Sequence, residues 1–502
     1  MVTLPTEAAH DYSMVRDMLT AGMNCARINC SQDGPEQWGR MVDNISRARS
    51  ATGRGCRVFM DLAGPKVRIG DLVPGPSVLR IRPETDMRGR IVAPAPVQLV
   101  PEDHVRGREL ARRFPEGSTL PVSAELHAAL SAGDRLSLVD TRGVPATLQV
   151  ERTEGPSVKA RCDASAYVEA GLELTLVDGA GGMKKTGFVG AVPALRSEIV
   201  LRIGDTLIVH KDPRPGESAR PDGPGQPARP AHVPCDPPEV LDRVRVGQPL
   251  LLDDGKIRGV IREVAGDRIA VEITRAKPAG TKLRAHKGLN LPETSLGFFG
   301  LTEKDREDLR FVAEHADGVN VSFVNHPDDV EDLLDELESV GGQHLGLILK
   351  IETQLGFRHL PGIVLAAMEW PRVGVMIARG DLAVEGGWTH LAQIQEEILC
   401  VCEAAHVPVV WATQVLDRLA KKGLPTRSEI SDVVMAERAE CVMLNKGPFI
   451  IRTIRTLDAI LTSVQDYQRK KRTLLPALML EQPDPDEVGR AVGDRQGRWR
   501  LP

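Results

Sequence analysis

Lys350 and Glu352 stand one residue apart at the end of an apolar run, Leu347-Ile-Leu-Lys350-Ile-Glu352-Thr353. On a strand, residues two apart leave the backbone on the same face. An ammonium beside a carboxylate in that position can serve a metal-bound anion. A lone salt bridge at a strand end accounts for the pair as well, so a second carboxylate bears on the choice. Asp381 supplies one, in Ala378-Arg379-Gly380-Asp381 directly after the apolar run Val373 to Ile377. An isolated Arg-Gly-Asp is a common surface turn, and this one draws its weight from lying at a strand end near Lys350 and Glu352. Glycine lets the backbone approach a ligand closely. Glu352 and Asp381 together offer two hard oxygen ligands for a magnesium ion that keeps its other positions for water and substrate.

Such residues act together only if the chain brings strand ends to one face. Apolar residues recur at helical spacing from Tyr12 to Leu19 and from Trp38 to Ala51, and each stretch leads into a short apolar run, Cys25 to Ile28 and Arg57 to Met60. The alternation returns after residue 300, with helices expected over 303–315, 330–340, 391–405, 430–439 and 451–464. Strands are expected between them at 318–322, 345–351, 373–377, 408–412 and 441–444. This pattern predicts an α/β fold with a parallel sheet closed by crossover helices, and the number of units fits an eight-stranded (β/α)8 TIM barrel. The first strand is barely present before Pro5.

The middle of the chain, from about Asp71 to Ala285, differs: Gly-Asp and Asp-Gly turns separate short Val, Leu and Ile runs, which reads as a β-rich domain inserted into the barrel. Two patterns within it match, Gly133-Asp-Arg-Leu-Ser-Leu-Val-Asp140 and Gly247-Gln-Pro-Leu-Leu-Leu-Asp-Asp254. They hint at a duplicated β unit, and chance similarity between hairpins explains them equally well. Residues 212–230 are rich in Pro, Gly and Arg and read as a flexible surface loop, and 466–502 is a tail with no assigned structure.

A length of 502 residues exceeds what one core usually supports, so two or three units are expected. The net charge of −5 offers no basic field for nucleic acid, and 3% aromatic residues leave too few rings for base stacking. No apolar run approaches a membrane span. The N-terminus has neither a basic nor an apolar signal region, which makes a cytoplasmic address the expectation. The eight cysteines are scattered without a C-x-x-C pair and read as small apolar fillers.

The chain resembles the pyruvate kinase family. The resemblance rests on Ala21-Gly-Met-Asn-Cys-Ala-Arg27-Ile-Asn29-Cys-Ser31, Met60-Asp61-Leu-Ala-Gly64-Pro65-Lys66-Val-Arg68, Leu252-Asp253-Asp254-Gly255 and His286-Lys287-Gly288-Leu-Asn290. It continues through Ser322-Phe323-Val324, Lys350-Ile-Glu352, Ala378-Arg379-Gly380-Asp381, Ala412-Thr413-Gln414, Pro425-Thr426-Arg427 and Val442-Met443-Leu444, in the family's order. It implies barrel segments at 1–72 and 286–465, around an inserted region at 73–285. Within that region 198–285 is a lid of the family kind and 73–197 is an extra insertion.

The activity implied is phosphoryl transfer from phosphoenolpyruvate to ADP, giving pyruvate and ATP, with magnesium or manganese as cofactor. By similarity Lys350 neutralises the developing enolate and the moving phosphoryl group, and Glu352 and Asp381 hold the metal. Arg27 grips the phosphate. Amides near Gly380 and the Thr413 hydroxyl receive the carboxylate, and Thr413 also relays the proton to the enol carbon. Asn29, Arg68 and Asp254 face the nucleotide. Oligomeric state is left open, with a homo-oligomer among the options.

Four departures from the family stand out: Gln32 follows Ser31 where a His is usual; Asn445-Lys446-Gly447-Pro448-Phe449 replaces Ser-Gly-Glu-Thr-Ala; little follows Val464 where an allosteric domain would stand; and the first strand is short. They keep two other functions in view: a regulatory or ligand-binding protein on this barrel without turnover, and a metal-dependent lyase or aldolase acting on pyruvate enolates. The latter has no use for Arg68 or Asp254. Leu62, Ala63 and Lys66 also replace residues around the family's potassium site, beside Asn29, Ser31 and Asp61. Family members with Leu and Lys at these positions are of the potassium-independent kind, so an ammonium from Lys66 is expected to stand in for the ion.

Overall fold

The runs that alternate with amphipathic segments form eight parallel strands closed into a barrel: β1 (Val2–Thr3), β2 (Cys25–Asn29), β3 (Arg57–Asp61), β4 (Gly318–Val321), β5 (Gly346–Ile351), β6 (Val373–Ala378), β7 (Val409–Val415) and β8 (Cys441–Leu444). The computed structural model describes residues 1–104, 118–154, 157–177, 182–195, 197–221, 228–294 and 301–465. The tail at 466–502, and 222–227 of the expected surface loop, lie outside the described residues. Although β1 has only two residues, Val2 pairs with Ala26 on one side and with Leu444 on the other, so the short strand closes the barrel.

Helices follow the strands in turn: α1 (Tyr12–Ala21), α2 (Pro35–Thr52), α3 (Glu303–His315), α4 (Pro327–Ser339), α5 (Leu360–Ala367), α6 (Trp388–Ala404), α7 (Arg427–Ala436) and α8 (Ile450–Gln465). Local sequence sets several starts. Thr302 with Asp305, and Thr426 with Glu429, form reciprocal capping boxes that satisfy two otherwise unpaired amides at the first turns of α3 and α7.

Strand periodicity then sorts side chains into two cores. Ala26, Ile28, Val58, Met60, Val319, Leu347, Leu349, Val375, Trp411 and Val442 point outward and pack in the cluster that includes the helices. The alternating positions Ile348, Met376, Val410, Ala412 and Met443 fill the lumen with Phe59 and Cys441. With a side-chain period of two, the next lumen-facing residue after Phe59 is Asp61, and the next after Ile348 is Lys350. An apolar plug thus lies under a polar layer at the C-terminal ends of the strands.

The chain divides into two compact units. One takes Met1–Gly70, Val200–Arg214 and the described residues from Ala219 onward. Besides the barrel it holds a seven-stranded sheet in the order Leu289–Asn290, Pro249–Leu252, Ile257–Ala265, Arg268–Arg275, Thr206–His210, Ala231–Asp236, Arg68–Ile69. The other takes Asp71–Ile199 and Pro215–Ser218. Its own seven-stranded sheet runs Met183–Phe188, Glu173–Val177, Arg135–Val139, Pro145–Glu154, Ser157–Cys162, Ala95–Pro101, Ser118–Val122. The two matching Gly patterns fold into the same turn, one in each unit. Gly133 (φ 91°) donates to Val150 O and Gly247 (φ 93°) to Ile261 O, and both glycines occupy a left-handed conformation that a side chain would strain. Among the described residues no helix is long and apolar enough to cross a membrane.

Candidate active site

The polar layer is built by β2, β3, β4 and β5. Lys350, 8% exposed, directs Nζ to Ser322 Oγ at 2.7 Å, Glu352 Oε1 at 3.0 Å and Asp61 Oδ1 at 3.5 Å. Glu352 is held from its other oxygen, because Oε2 accepts from the Phe323 amide at 2.9 Å. Arg27 lies in the same layer, donating to Thr3 Oγ1 at 3.0 Å and pairing with Asp61 Oδ2. Its Nε is buried and has no protein partner. Burial lowers the guanidinium to about 10, a value that still keeps it charged near neutrality. Two buried cations therefore sit over two buried carboxylates, and the free edge of Arg27 is suited to an anion.

The second group lies at the ends of β6 and β7, with Asp381 in the first turn of the short helix Arg379–Gly386. Arg379 ties this helix to β7 through Nε to Ala412 O at 2.8 Å and one terminal nitrogen to Thr413 O at 2.6 Å. Both terminal nitrogens also pair with the Asp432 carboxylate, and the guanidinium lies 4.7 Å from the Trp411 ring centroid. These bonds hold Thr413 at φ 62°, a conformation that a β-branched residue adopts only under constraint from its surroundings. The Gly380 amide, expected to be free for a carboxylate, donates instead to Thr413 Oγ1 at 2.8 Å. A Cβ at Gly380 would meet Thr413 only at ordinary contact distance, 3.7 Å or more, so packing within the protein does not require the glycine there.

Glu352 and Asp381 are the carboxylates that suit a divalent ion. They are hard oxygen donors just beyond the ends of the neighbouring strands β5 and β6, few enough to leave a magnesium ion most of its positions for water and substrate. Among the described residues no group of three or more His, Cys, Asp or Glu side chains is arranged to hold a metal. Glu385, at the far end of the same short helix, carries the field of this pair. Burial raises its carboxyl to about 7; hydrogen bonds from Asn290 and Gln354 pull it down, and Asp381 and Glu352 push it up by repulsion.

The remaining expected residues divide. Asn29 and Ser31 bond to each other, Ser31 Oγ to Asn29 Oδ1 at 2.8 Å. Lys66 is directed elsewhere: its Nζ lies 3.1 Å from Asp381 Oδ1 and 5.9 Å from the Phe323 ring centroid. Among the described residues no hydrogen bond or ion pair joins Lys66 to Asn29, Ser31 or Asp61, the residues expected around it. Arg68 donates to His286 O at 3.3 Å. Asp254 is exposed on a left-handed turn with Asp253 and Gly255. The buried member of the turn is Asp253; burial pushes its carboxyl up, and Lys287 and Lys256 more than offset this to hold it below the ordinary range. A Cβ on Gly255 would lie 3.4 Å from Val384, so the turn closes against the helix that carries Asp381.

Sequence reasoning assigned no role to Ser322, Arg379, Asp432 or Glu385. Ser322 and Arg379 lay inside motifs already singled out. Asp432 and Glu385 carry no local signal, since their partners come from other segments.

Comparisons with known proteins bear on this site. A family model described as pyruvate kinase, barrel domain, matches residues 2–93 and 198–448. The chain is 34% identical over 273 residues to pyruvate kinase of Methylorubrum extorquens, covering 53% of this chain and 52% of the relative. It is 33% identical over 264 residues to pyruvate kinase of Clostridium perfringens, covering 51% and 53%. With pyruvate kinase of Agrobacterium vitis it shares 34% over 259 residues, half of each chain. The chain thus spans about half the length of these curated relatives.

Proposed function

The chain belongs to the pyruvate kinase family, and from that premise we propose that it transfers the phosphoryl group of phosphoenolpyruvate to ADP, giving pyruvate and ATP. The observation that carries this reading is the meeting of Lys350 and Arg27, both buried, with Glu352 and Asp381 at one barrel mouth. In such barrels the strand C-termini form the reactive face.

In this reading Arg27 receives a phosphate oxygen at Nε, while Thr3 and Asp61 hold the rest of the guanidinium in place. Lys350 keeps its charge where the enolate develops, and Ser322, Glu352 and Asp61 fix the ammonium before substrate arrives, so little reorganisation is needed. Glu352 and Asp381 hold the divalent metal that this family requires, here magnesium or manganese, which when bound orients and offsets the charge of the substrate oxygens. Thr413 Oγ1 already accepts from Gly380, which leaves its own proton available for passage to the enol carbon.

Asn29, Arg68 and Asp254 serve the nucleotide, with 198–285 acting as a lid between barrel segments 1–72 and 286–465, and 73–197 as an addition to it. The approach of Gly255 to Val384 supports closure of that lid, which excludes water from the transfer. Lys66 supplies within the site the positive charge that a potassium ion would otherwise bring, and does so from beside Asp381 rather than among Asn29, Ser31 and Asp61. The cytoplasm is the setting that this chemistry implies. The test is pyruvate formation from phosphoenolpyruvate, ADP and magnesium in an assay coupled to NADH consumption. A purified chain that forms no pyruvate with any nucleoside diphosphate would defeat the reading in favour of a regulatory protein.

A further inference from the structure

Asn320 stands on β4 with its side chain in the lumen. Its neighbours Val319 and Val321 pack outward, and its partner in register on β3 is the lumen-facing Asp61. Two residues earlier a Cβ on Gly318 would stand 2.5 Å from the Phe59 ring, so this face of β4 looks onto the lumen side chains of β3. Asn320 is 0% exposed, and among the described residues neither its Nδ2 nor its Oδ1 has a hydrogen-bond partner. Beside and below it the lumen offers Ile348, its register partner on β5, and Phe59, which can satisfy neither atom. A primary amide buried without a partner is costly, and native structures nearly always supply one, from protein or from an enclosed water.

Asp61, next to it, has an unfilled acceptor. Arg27 takes Oδ2, but Oδ1 accepts no hydrogen bond among the described residues: Lys350 Nζ stands 3.5 Å away, and its nearer partners are Ser322 Oγ and Glu352 Oε1. The donor of Asn320 and the acceptor of Asp61 thus stand in register on adjacent strands with no direct bond between them. Whatever joins them must both accept and donate. Arg27 and Lys350 disfavour a cation there and Asp61 disfavours an anion, which leaves a small neutral molecule. Water meets these demands, since buried waters are held where several polar groups converge out of each other's direct reach.

We infer that a buried water bridges the Asn320 amide to Asp61 Oδ1, accepting from Nδ2 and donating to the carboxylate, and that Asn320 is thereby a positioning residue. It holds Asp61 where one carboxylate serves both Arg27 and Lys350. The effect on turnover rests on the phosphoryl-transfer reading, and the water site itself does not. A high-resolution crystal structure of the full chain should show an ordered water within hydrogen-bond distance of both Asn320 and Asp61 Oδ1. A direct bond between the two side chains, or a dry lumen, overturns the site. Asn320→Leu removes both polar atoms at similar volume and takes the water with them, so the urea midpoint should fall. In the same variant kcat should drop about tenfold, the scale of one hydrogen bond to a charged group, while the KM for ADP moves about twofold or less. Asn320→Ser keeps a donor and an acceptor with room for the water, and should recover most of the lost kcat, which a packing defect would not allow. A midpoint that rises in Asn320→Leu means that the amide was unpaired and overturns the site, and an unchanged kcat in that variant overturns the positioning role. A wild type that holds the water but forms no pyruvate supports the site and defeats the phosphoryl-transfer reading.

Discussion

Replacing Glu385 by Gln should stabilise the metal-free protein, and by an amount that depends on pH. The carboxyl is raised from its ordinary 4.5 to about 7, chiefly by burial. Below pH 4.5 the group is protonated in both folded and unfolded chains and contributes no difference. Between 4.5 and 7 the unfolded chain releases its proton while the folded chain retains it, so folding loses free energy as pH rises. Above 7 the loss is complete, about 3 kcal/mol for a carboxyl raised from 4.5 to about 7. Gln cannot ionise, and its carbonyl still accepts from Asn290, which donates to Glu385 Oε1 at 3.3 Å. Urea unfolding of both proteins at pH 4.5, 6 and 8 should therefore show a gain near zero at the lowest pH that grows to about 1–3 kcal/mol at the highest. Adding magnesium should shrink the gain at pH 8, because a cation on Glu352 and Asp381 turns their repulsion of Glu385 into attraction. A gain independent of pH would refute the assigned cause, and a gain unchanged by magnesium would refute the metal position.

Lys350→Met keeps the length of the side chain but removes the charge held by Ser322, Glu352 and Asp61. Turnover should fall about 10²–10³-fold, read in the coupled pyruvate assay, and a loss under tenfold would remove Lys350 from the chemistry. Arg379→Lys exchanges a planar fork for a point charge that cannot reach two carbonyls and both Asp432 oxygens together. It should cost about 2 kcal/mol in urea unfolding and lower turnover, since Thr413 loses its support; unchanged stability would contradict this. The native chain should work as fast in potassium-free buffer with a large organic cation as in potassium chloride. Lys66→Glu should create a potassium dependence, and a native rate that rises tenfold on adding potassium would defeat the role given to Lys66.

What was legible in the sequence was whatever a short stretch of chain decides. Period-two and helical patterns gave strands, helices and the barrel, and the spacing of Lys350 and Glu352 placed both on one face of β5, where the structure has them bonded. The two matching Gly patterns, read only as a hint of a duplicated β unit, take the same turn because backbone conformation at glycine is a local matter. Tertiary structure decided the rest, for two physical reasons. Lumen geometry depends on register between strands far apart in the chain, which is what sets Asp61 between Arg27 and Lys350. Partner choice among charges depends on which side chains arrive within hydrogen-bond reach, and composition does not encode that. Lys66, expected beside Asn29 and Asp61, went to Asp381, and Lys446 found Gln32. The shifted carboxyl of Glu385 belongs with these, because desolvation exists only once the surrounding elements have closed over a group.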